Sequence, residues 1–165
     1  TGLYNKRSLN RYLEDVFEAC KLNEKELGIL FLDIDYFKQL NDHYGHGKGD
    51  EGICAVADTL KKCFPEDYVA RYGGDEFLVV MTGRDLEYAQ ERAQKLCTGI
   101  RECKIPNEDS EVEPWLTISV GGVCAIPREP NRVWDFLSAA DNTLYEQKKE
   151  QKGKVRFYQG EGKYL

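Results

Sequence analysis

The chain has 165 residues, 41% of them hydrophobic and 32% charged, a balance that fits one globular domain with a sizeable core. A formal net charge of −6, with no basic run before the C-terminal end, argues against a nucleic-acid binder, which ordinarily presents a basic face. No apolar stretch approaches the ~20 residues needed to cross a bilayer and no signal peptide is visible, so no membrane contact by this segment is expected.

Leu9, Tyr12, Leu13, Val16, Phe17 and Cys20 recur at helical spacing and predict a first amphipathic helix. The unbroken apolar run Gly28-Ile29-Leu30-Phe31-Leu32 predicts a central strand buried on both faces, ending in Asp33-Ile34-Asp35. Ile53, Val56, Ala57, Leu60 and Phe64 form a second helical stripe. Short strands are predicted near 68–72 and 76–81, joined through Gly73-Gly74-Asp75-Glu76. A glycine pair there predicts a tight hairpin, because glycine reaches positive φ at no steric cost and leaves the turn bare. Leu86, Ala89, Ala93, Leu96 and Ile100 form the third stripe. Residues 105–114, with two prolines and four acids, read as a solvated loop. A strand near 116–125, a helix carrying Val133, Phe136, Leu137, Ala140 and Leu144, and a short edge strand near 154–158 complete the chain. This order predicts an α/β (α+β) fold, a sheet with helices packed on it.

The six cysteines are scattered without a C-x-x-C pair, and reduced core thiols are expected rather than disulfides. His43 and His46 form an H-x-x-H pair with no cysteine or third histidine nearby, so no metal role is assigned to them. The acids are more telling. Asp33 leaves a buried strand, and Asp75 and Glu76 follow a bare glycine turn; if the two strands are neighbours, their carboxylates meet. Hard cations such as Mg²⁺ take oxygen ligands of this kind together with substrate phosphates. Each cluster alone reads equally well as turn-forming acid.

The segment from Asp33 to Asp50, with Arg71-Tyr72-Gly73-Gly74-Asp75-Glu76-Phe77, resembles the metal- and guanine-binding blocks of the GGDEF family, the diguanylate cyclase catalytic domains. The opening Thr1-Gly2-Leu3-Tyr4-Asn5-Lys6-Arg7, the block Leu116-Thr117-Ile118-Ser119-Val120-Gly121 and the block Ala140-Asp141-Asn142-Thr143-Leu144-Tyr145 extend the likeness over nearly the whole chain. It implies a central five-stranded, mostly antiparallel sheet like the palm of polymerases and nucleotidyl cyclases. The activity it implies is condensation of two GTP into cyclic di-GMP with release of pyrophosphate, using two Mg²⁺ (or Mn²⁺) ions per site in a homodimer of domains. By the same likeness, Asp33, the carbonyl of Ile34, Asp75 and Glu76 are metal ligands, with Asp75 also the family's suggested general base. Lys38 contacts the triphosphate and acts catalytically by stabilising the transition state, Lys148 and Lys152 contact phosphates, Asn41 and Asp50 read guanine, and Phe37, Gly73 and Gly74 line the substrate. Lys148 and Lys152 are expected on one helical face at i, i+4. Asp50 is also expected to serve as a helix N-terminal acid, and its presence favours GTP over ATP.

This sequence departs from the family pattern at several places. Thr143 and Gln147 replace alanines, the helix end lacks the family's usual glycine-arginine-asparagine turn, and Lys152 stands where arginine is usual. The stretch Phe64-Pro65-Glu66-Asp67 lacks the arginine of the inhibitory R-x-x-D motif, so no such product-inhibition site is expected; Phe64 is predicted to face the core and Asp67 to stand alone against an anion. A catalytically weak or inactive GTP-binding sensor is the alternative, against which the intact acids argue. A phosphatase reading of Asp33-x-Asp35 fails because Phe37 stands where those enzymes carry threonine. The first residue is Thr1 and the only methionine is Met81, so residues 1–165 are expected to be one domain of a longer multidomain protein, facing the cytoplasm.

Overall fold

The computed structural model describes residues 1–160 and 164–165. In chain order it has α1 (Lys6–Leu22), β1 (Leu27–Ile34), α2 (Phe37–Tyr44), α3 (His46–Cys63), β2 (Tyr68–Arg71), β3 (Glu76–Thr82), α4 (Leu86–Glu102), β4 (Ile118–Ala125), α5 (Val133–Glu150) and β5 (Val155–Phe157). The strands form one sheet in the order β2-β3-β1-β4-β5. All neighbours are antiparallel except β4 and β5, which run parallel.

β1 is buried at all eight positions and occupies the centre, as its unbroken apolar run requires. Its side chains alternate between two cores. Leu30 and Leu32 pack with Phe77, Val79 and Val120 beneath α3 and α4, through Val56, Leu60, Ala93 and Leu96. Ile29 and Phe31 pack with Leu78 and Val80 beneath α1 and α5, through Leu9, Leu13, Phe17, Phe136 and Leu144. Side-chain caps start two of the helices: Asn5 accepts from the Ser8 amide at 2.9 Å, and Asp85 from the Tyr88 amide at 2.8 Å. Phe64, the C-cap of α3, is fully buried, as its place at the end of the apolar stripe predicted.

Two glycines in β4 fix how closely the layers approach. A Cβ on Gly121 would lie 2.2 Å from the Leu144 amide nitrogen and 2.6 Å from the Ala140 carbonyl, so the α5 backbone rests directly on the strand. On the other face, a Cβ on Gly122 would lie 2.5 Å from the Phe157 ring. At the opposite side of the sheet, the segment before α1 joins the outer edge of β2. The Tyr4 amide donates to Val69 O at 3.3 Å, and the Arg71 amide donates to Tyr4 O at 2.8 Å. Tyr4 and Tyr12 both stack on Tyr68, with ring centroids 4.3 and 3.9 Å apart.

Three expectations need correction here. Residues 105–114 are not simply a solvated loop: Ile105 and Asn107 are buried, and the ends pair through Leu116 N to Ile105 O at 2.7 Å and Asn107 N to Pro114 O at 3.0 Å. The prolines sit where no amide is required, which is why their presence did not signal the pairing. α3 begins at His46 after Gly45 (φ 90°), so Asp50 lies beyond the first turn and has no free helical amide to accept from. Among the cysteines, only Cys20 and Cys97 are buried; Cys54 and Cys103 are exposed, and all six are free. Burial pushes the Cys97 thiol up to about 12, which keeps it an inert packing group.

Candidate active site

The site forms where β1 leaves the sheet. In register, Asp33 stands opposite Glu76 of β3 and opposite Ser119 of β4, and the Ile34 amide donates to Asp75 O at 3.2 Å. Directly opposed residues of an antiparallel pair share a face, so Asp33 and Glu76 project together with Asp75 adjacent. The two acid clusters are thus brought to one corner.

The hairpin that presents Asp75 is closed by Tyr72 N and Gly73 N, which both donate to Glu76 O, at 2.8 and 3.2 Å. Neither Gly73 nor Gly74 adopts positive φ, which corrects the expectation that the turn needs glycine for its backbone. Arg71 holds the turn instead, donating from Nε to Gly73 O at 3.2 Å and from Nη2 to Gly74 O at 2.7 Å. A Cβ on Gly74 would meet nothing within 4 Å, so what the pair supplies is a bare surface. Arg71 was missed as a functional-site residue, although an arginine two residues before a glycine turn is placed to reach its carbonyls.

Asp33 is 9% exposed. Its Oδ2 accepts from Lys148 Nζ at 2.6 Å, while its Oδ1 is buried with no hydrogen-bond partner. Burial pushes the carboxyl up to about 6, and the Lys148 bond and charge only partly oppose that. Burial acts on Lys148 in the opposite sense, but the bond to Asp33 and the charges of Asp33, Asp35 and Asp75 more than offset it and raise the ammonium. At neutral pH the pair is ionised, and Lys148 lies against the carboxylate rather than standing free for a phosphate. Asp35 is 2% exposed and belongs to the frame. It accepts from Thr117 Oγ1 at 2.8 Å and Ser119 Oγ at 2.6 Å; Ser119 Oγ accepts in turn from the Gly153 amide at 2.9 Å. Burial raises Asp35 and the two hydroxyls lower it, with burial the larger influence.

α5 ends at Glu150 and Gln151 is extended, so Lys148 and Lys152 do not share a helical face, a correction to the i, i+4 expectation. Buried Gln147 ends the helix by donating from Nε2 to Gln151 O at 2.6 Å. Lys152 lies with its Nζ 4.2 Å from the Tyr36 ring centroid. Tyr36 precedes α2 in the left-handed conformation (φ 54°, ψ 38°), which costs a non-glycine residue about 1–3 kcal/mol. No side chain caps α2, so the amides at its start are available to an anion, and Lys38 is exposed just above them. One turn further, Asn41 Oδ1 is buried without a partner and packs against Gly49, where a Cβ would lie 1.9 Å away. Asp50, next in sequence, is exposed. The two residues expected to read a base are therefore brought to one place, with Phe37 and Lys38 on the same short helix.

Away from this corner, Asp67 is not an isolated charge. It accepts from the Tyr88 hydroxyl at 2.9 Å, and Arg84 and Arg92 lie over the Tyr88 ring at 4.6 and 5.2 Å. Burial raises the Asp67 carboxyl, while Tyr88 and the two arginines lower it.

The donor set suits a hard cation. Asp33 offers a buried, unpaired carboxylate oxygen, and the register puts Glu76 opposite it with Asp75 adjacent in sequence. Among the described residues, no three His, Cys, Asp or Glu side chains are gathered tightly enough to hold an ion alone. An ion held here would draw on backbone oxygen and ligand phosphates to complete its shell, as is usual for Mg²⁺.

The family model described as "Diguanylate cyclase, GGDEF domain" matches residues 1–154. The probable diguanylate cyclase DgcC of Escherichia coli K12 is 33% identical over 151 residues, covering 90% of this chain and 39% of that protein. The chain thus spans well under half the length of that curated relative. The active GGEEF domain of a diguanylate cyclase from Vibrio cholerae superimposes with a TM-score of 0.80 at 26% identity, covering 96% of this chain and 99% of that one. The GGDEF domain of DgcB from Caulobacter crescentus, solved in complex with c-di-GMP, shares the fold with a TM-score of 0.87 at 23% identity over 97% of this chain and 94% of that one. The chain belongs to the GGDEF family. No helix among the described residues is long and apolar enough to cross a membrane.

Proposed function

We propose that this domain is a diguanylate cyclase that joins two GTP into cyclic di-GMP and releases pyrophosphate. The observation that carries the reading is the buried, half-satisfied carboxylate of Asp33, set in register against Glu76 beside Asp75. Asp33, the Ile34 carbonyl, Asp75 and Glu76 would hold two Mg²⁺ or Mn²⁺ ions. Such ions neutralise phosphate charge and lower the pKa of an attacking 3′-hydroxyl. The protein's own groups do the rest. Lys38 and the first amides of α2 take phosphate oxygens, joined by Lys148 and Lys152 when substrate draws them over. Gly73 and Gly74 let the nucleotide lie on the turn, and Phe37 lines its path. Asn41, with an unpaired buried amide oxygen, and Asp50 accept from guanine donors. Asp75 is the proton acceptor. Each domain holds one GTP, so the product closes only between two copies facing each other, and the domain works on the cytosolic side of its parent protein.

Incubating the protein with GTP and Mg²⁺ and analysing the nucleotides by mass is the direct test. Cyclic di-GMP is expected, with specific activity rising steeply with protein concentration. A specific activity flat from nanomolar to high micromolar protein, in a species that is monomeric by light scattering, contradicts the facing-pair arrangement.

Asp50→Ala is expected to weaken GTP relative to ATP by about 1–3 kcal/mol, the cost of losing a charged acceptor. Competition binding measures it, and an unchanged preference would move base recognition elsewhere.

A further inference from the structure

One loop grips both ends of α2. At the start of the helix, the Tyr36 hydroxyl donates to Glu111 at 3.1 Å, and Asn107 Nδ2 reaches Tyr36 O at 3.4 Å. At its end, the Tyr44 hydroxyl donates to Glu108 Oε1 at 3.1 Å and accepts from the Glu108 amide at 3.3 Å. Beside it, His43 lies between two carboxylates, Nδ1 3.0 Å from Asp109 and Nε2 3.3 Å from Glu108. The loop is itself stiff: Asn107 is fully buried, the Ser110 amide donates to Asn107 O at 3.0 Å, and the Val112 amide donates to Ser110 Oγ at 3.2 Å. Four of the five residues from 107 to 111 therefore bond α2 or its cap. A helix of eight residues has little stability of its own, so outside contacts decide its pose.

We propose that Asn107–Glu111 is a clasp that positions α2 for nucleotide binding, with His43 as its contact at the end of the helix near Asn41. The proposal rests on the reading of α2 as the substrate helix. Facing the His43 ring are Asp109 and Glu108 from the loop and Tyr44 from its own helix, whose ring centroid is 4.3 Å away. His43 thus ties the helix to two loop carboxylates, while Tyr36 and Tyr44 tie it at its start and end. Losing the His43 contacts slackens the grip on the end of α2 near Asn41, so His43 is a positioning residue that acts on the nucleotide only through the pose of the helix.

The probe is a GTP analogue with a non-cleavable α–β bridge, titrated calorimetrically with Mg²⁺ at one fixed pH. His43→Gln is expected to bind it roughly five-fold more weakly than the parent, the scale of one partly exposed ion pair. His43→Lys, which can still donate to the loop carboxylates, should recover most of that affinity, a rescue that a purely structural role does not give. Asp109→Asn should weaken binding in the same direction as His43→Gln and guards against a folding defect peculiar to one variant. If His43→Gln and Asp109→Asn bind as the parent does while Asn41→Ala weakens binding, the clasp is refuted and the base site stands. If Asn41→Ala changes nothing while the two clasp variants weaken binding, the clasp stands and the assignment of Asn41 falls.

Discussion

Asp33→Asn is expected to abolish cyclic di-GMP formation while raising the melting temperature of the metal-free domain at about pH 8. The loss of turnover should be at least about 100-fold, the usual scale for removing one electrostatic stabiliser of a transition state. The gain in stability follows from burial. The folded-state pKa of Asp33 is raised from 3.8 to about 6, so ionising this group costs the native state. Stability from the group is complete below about pH 4, falls as pH climbs through about 6, and stays reduced above. A shift of this size corresponds to about 3 kcal/mol at most. The amide avoids that cost but strands Lys148, whose side chain is 34% exposed and can turn to water. The net gain is therefore expected near 1 kcal/mol. Melting curves of the two proteins should converge at about pH 4, where the parent carboxyl is protonated. Product formation at the parent rate would remove Asp33 from the site. A lower melting temperature at about pH 8 would mean that pairing with Lys148 outweighs desolvation.

Gly121→Ala is expected to destabilise the domain by about 3 kcal/mol, the upper end for overpacking, because its obstacles are all backbone. The new Cβ meets the Leu144 nitrogen, Leu144 Cα and the Ala140 carbonyl, so α5 must lift from the sheet or the chain must unfold. Lifting α5 also withdraws Lys148 from Asp33. Gly122→Ala is the matched comparison: its obstacles are the Phe157 ring and the Leu30 side chain, which can give, and about 1–2 kcal/mol is expected. Urea unfolding measures both. A Gly121→Ala protein as stable as its parent would show that α5 does not press on β4 as described.

Much of this architecture was legible because burial writes itself into composition. The run from Gly28 to Leu32 could only be a strand covered on both faces, and its exit delivered Asp33. The helical stripes found α1, α3, α4 and α5, and the acid clusters pointed at each other before the register between Asp33 and Glu76 was known. What escaped was set by tertiary contact. Lys152 looked helical because it falls four residues after Lys148, the spacing of one helical face, but Gln147 closes the helix through a side-chain bond that spacing does not record. Gly73 and Gly74 looked like conformational necessities, yet Arg71 supplies the restraint and the glycines supply space. The paired ends of residues 105–114 were hidden by prolines and acids that suggested only solvent. Asp67 appeared solitary because Tyr88, which donates to it, and Arg84 and Arg92, whose charges lower its carboxyl, come from later in the chain.

The tyrosine-covered edge of β2 has a consequence for how copies of this domain meet. An open strand edge invites another chain to extend the sheet, the usual route to uncontrolled polymerisation. Here Tyr4 already occupies hydrogen-bonding positions of β2, with its ring and that of Tyr12 stacked against Tyr68, and the opposite margin is a strand of only three residues. Among the described residues, neither margin offers a long template for strand addition. In the facing-pair arrangement proposed above, self-association would fall to the side-chain surfaces around the hairpin and the helices, where contact can be reversible.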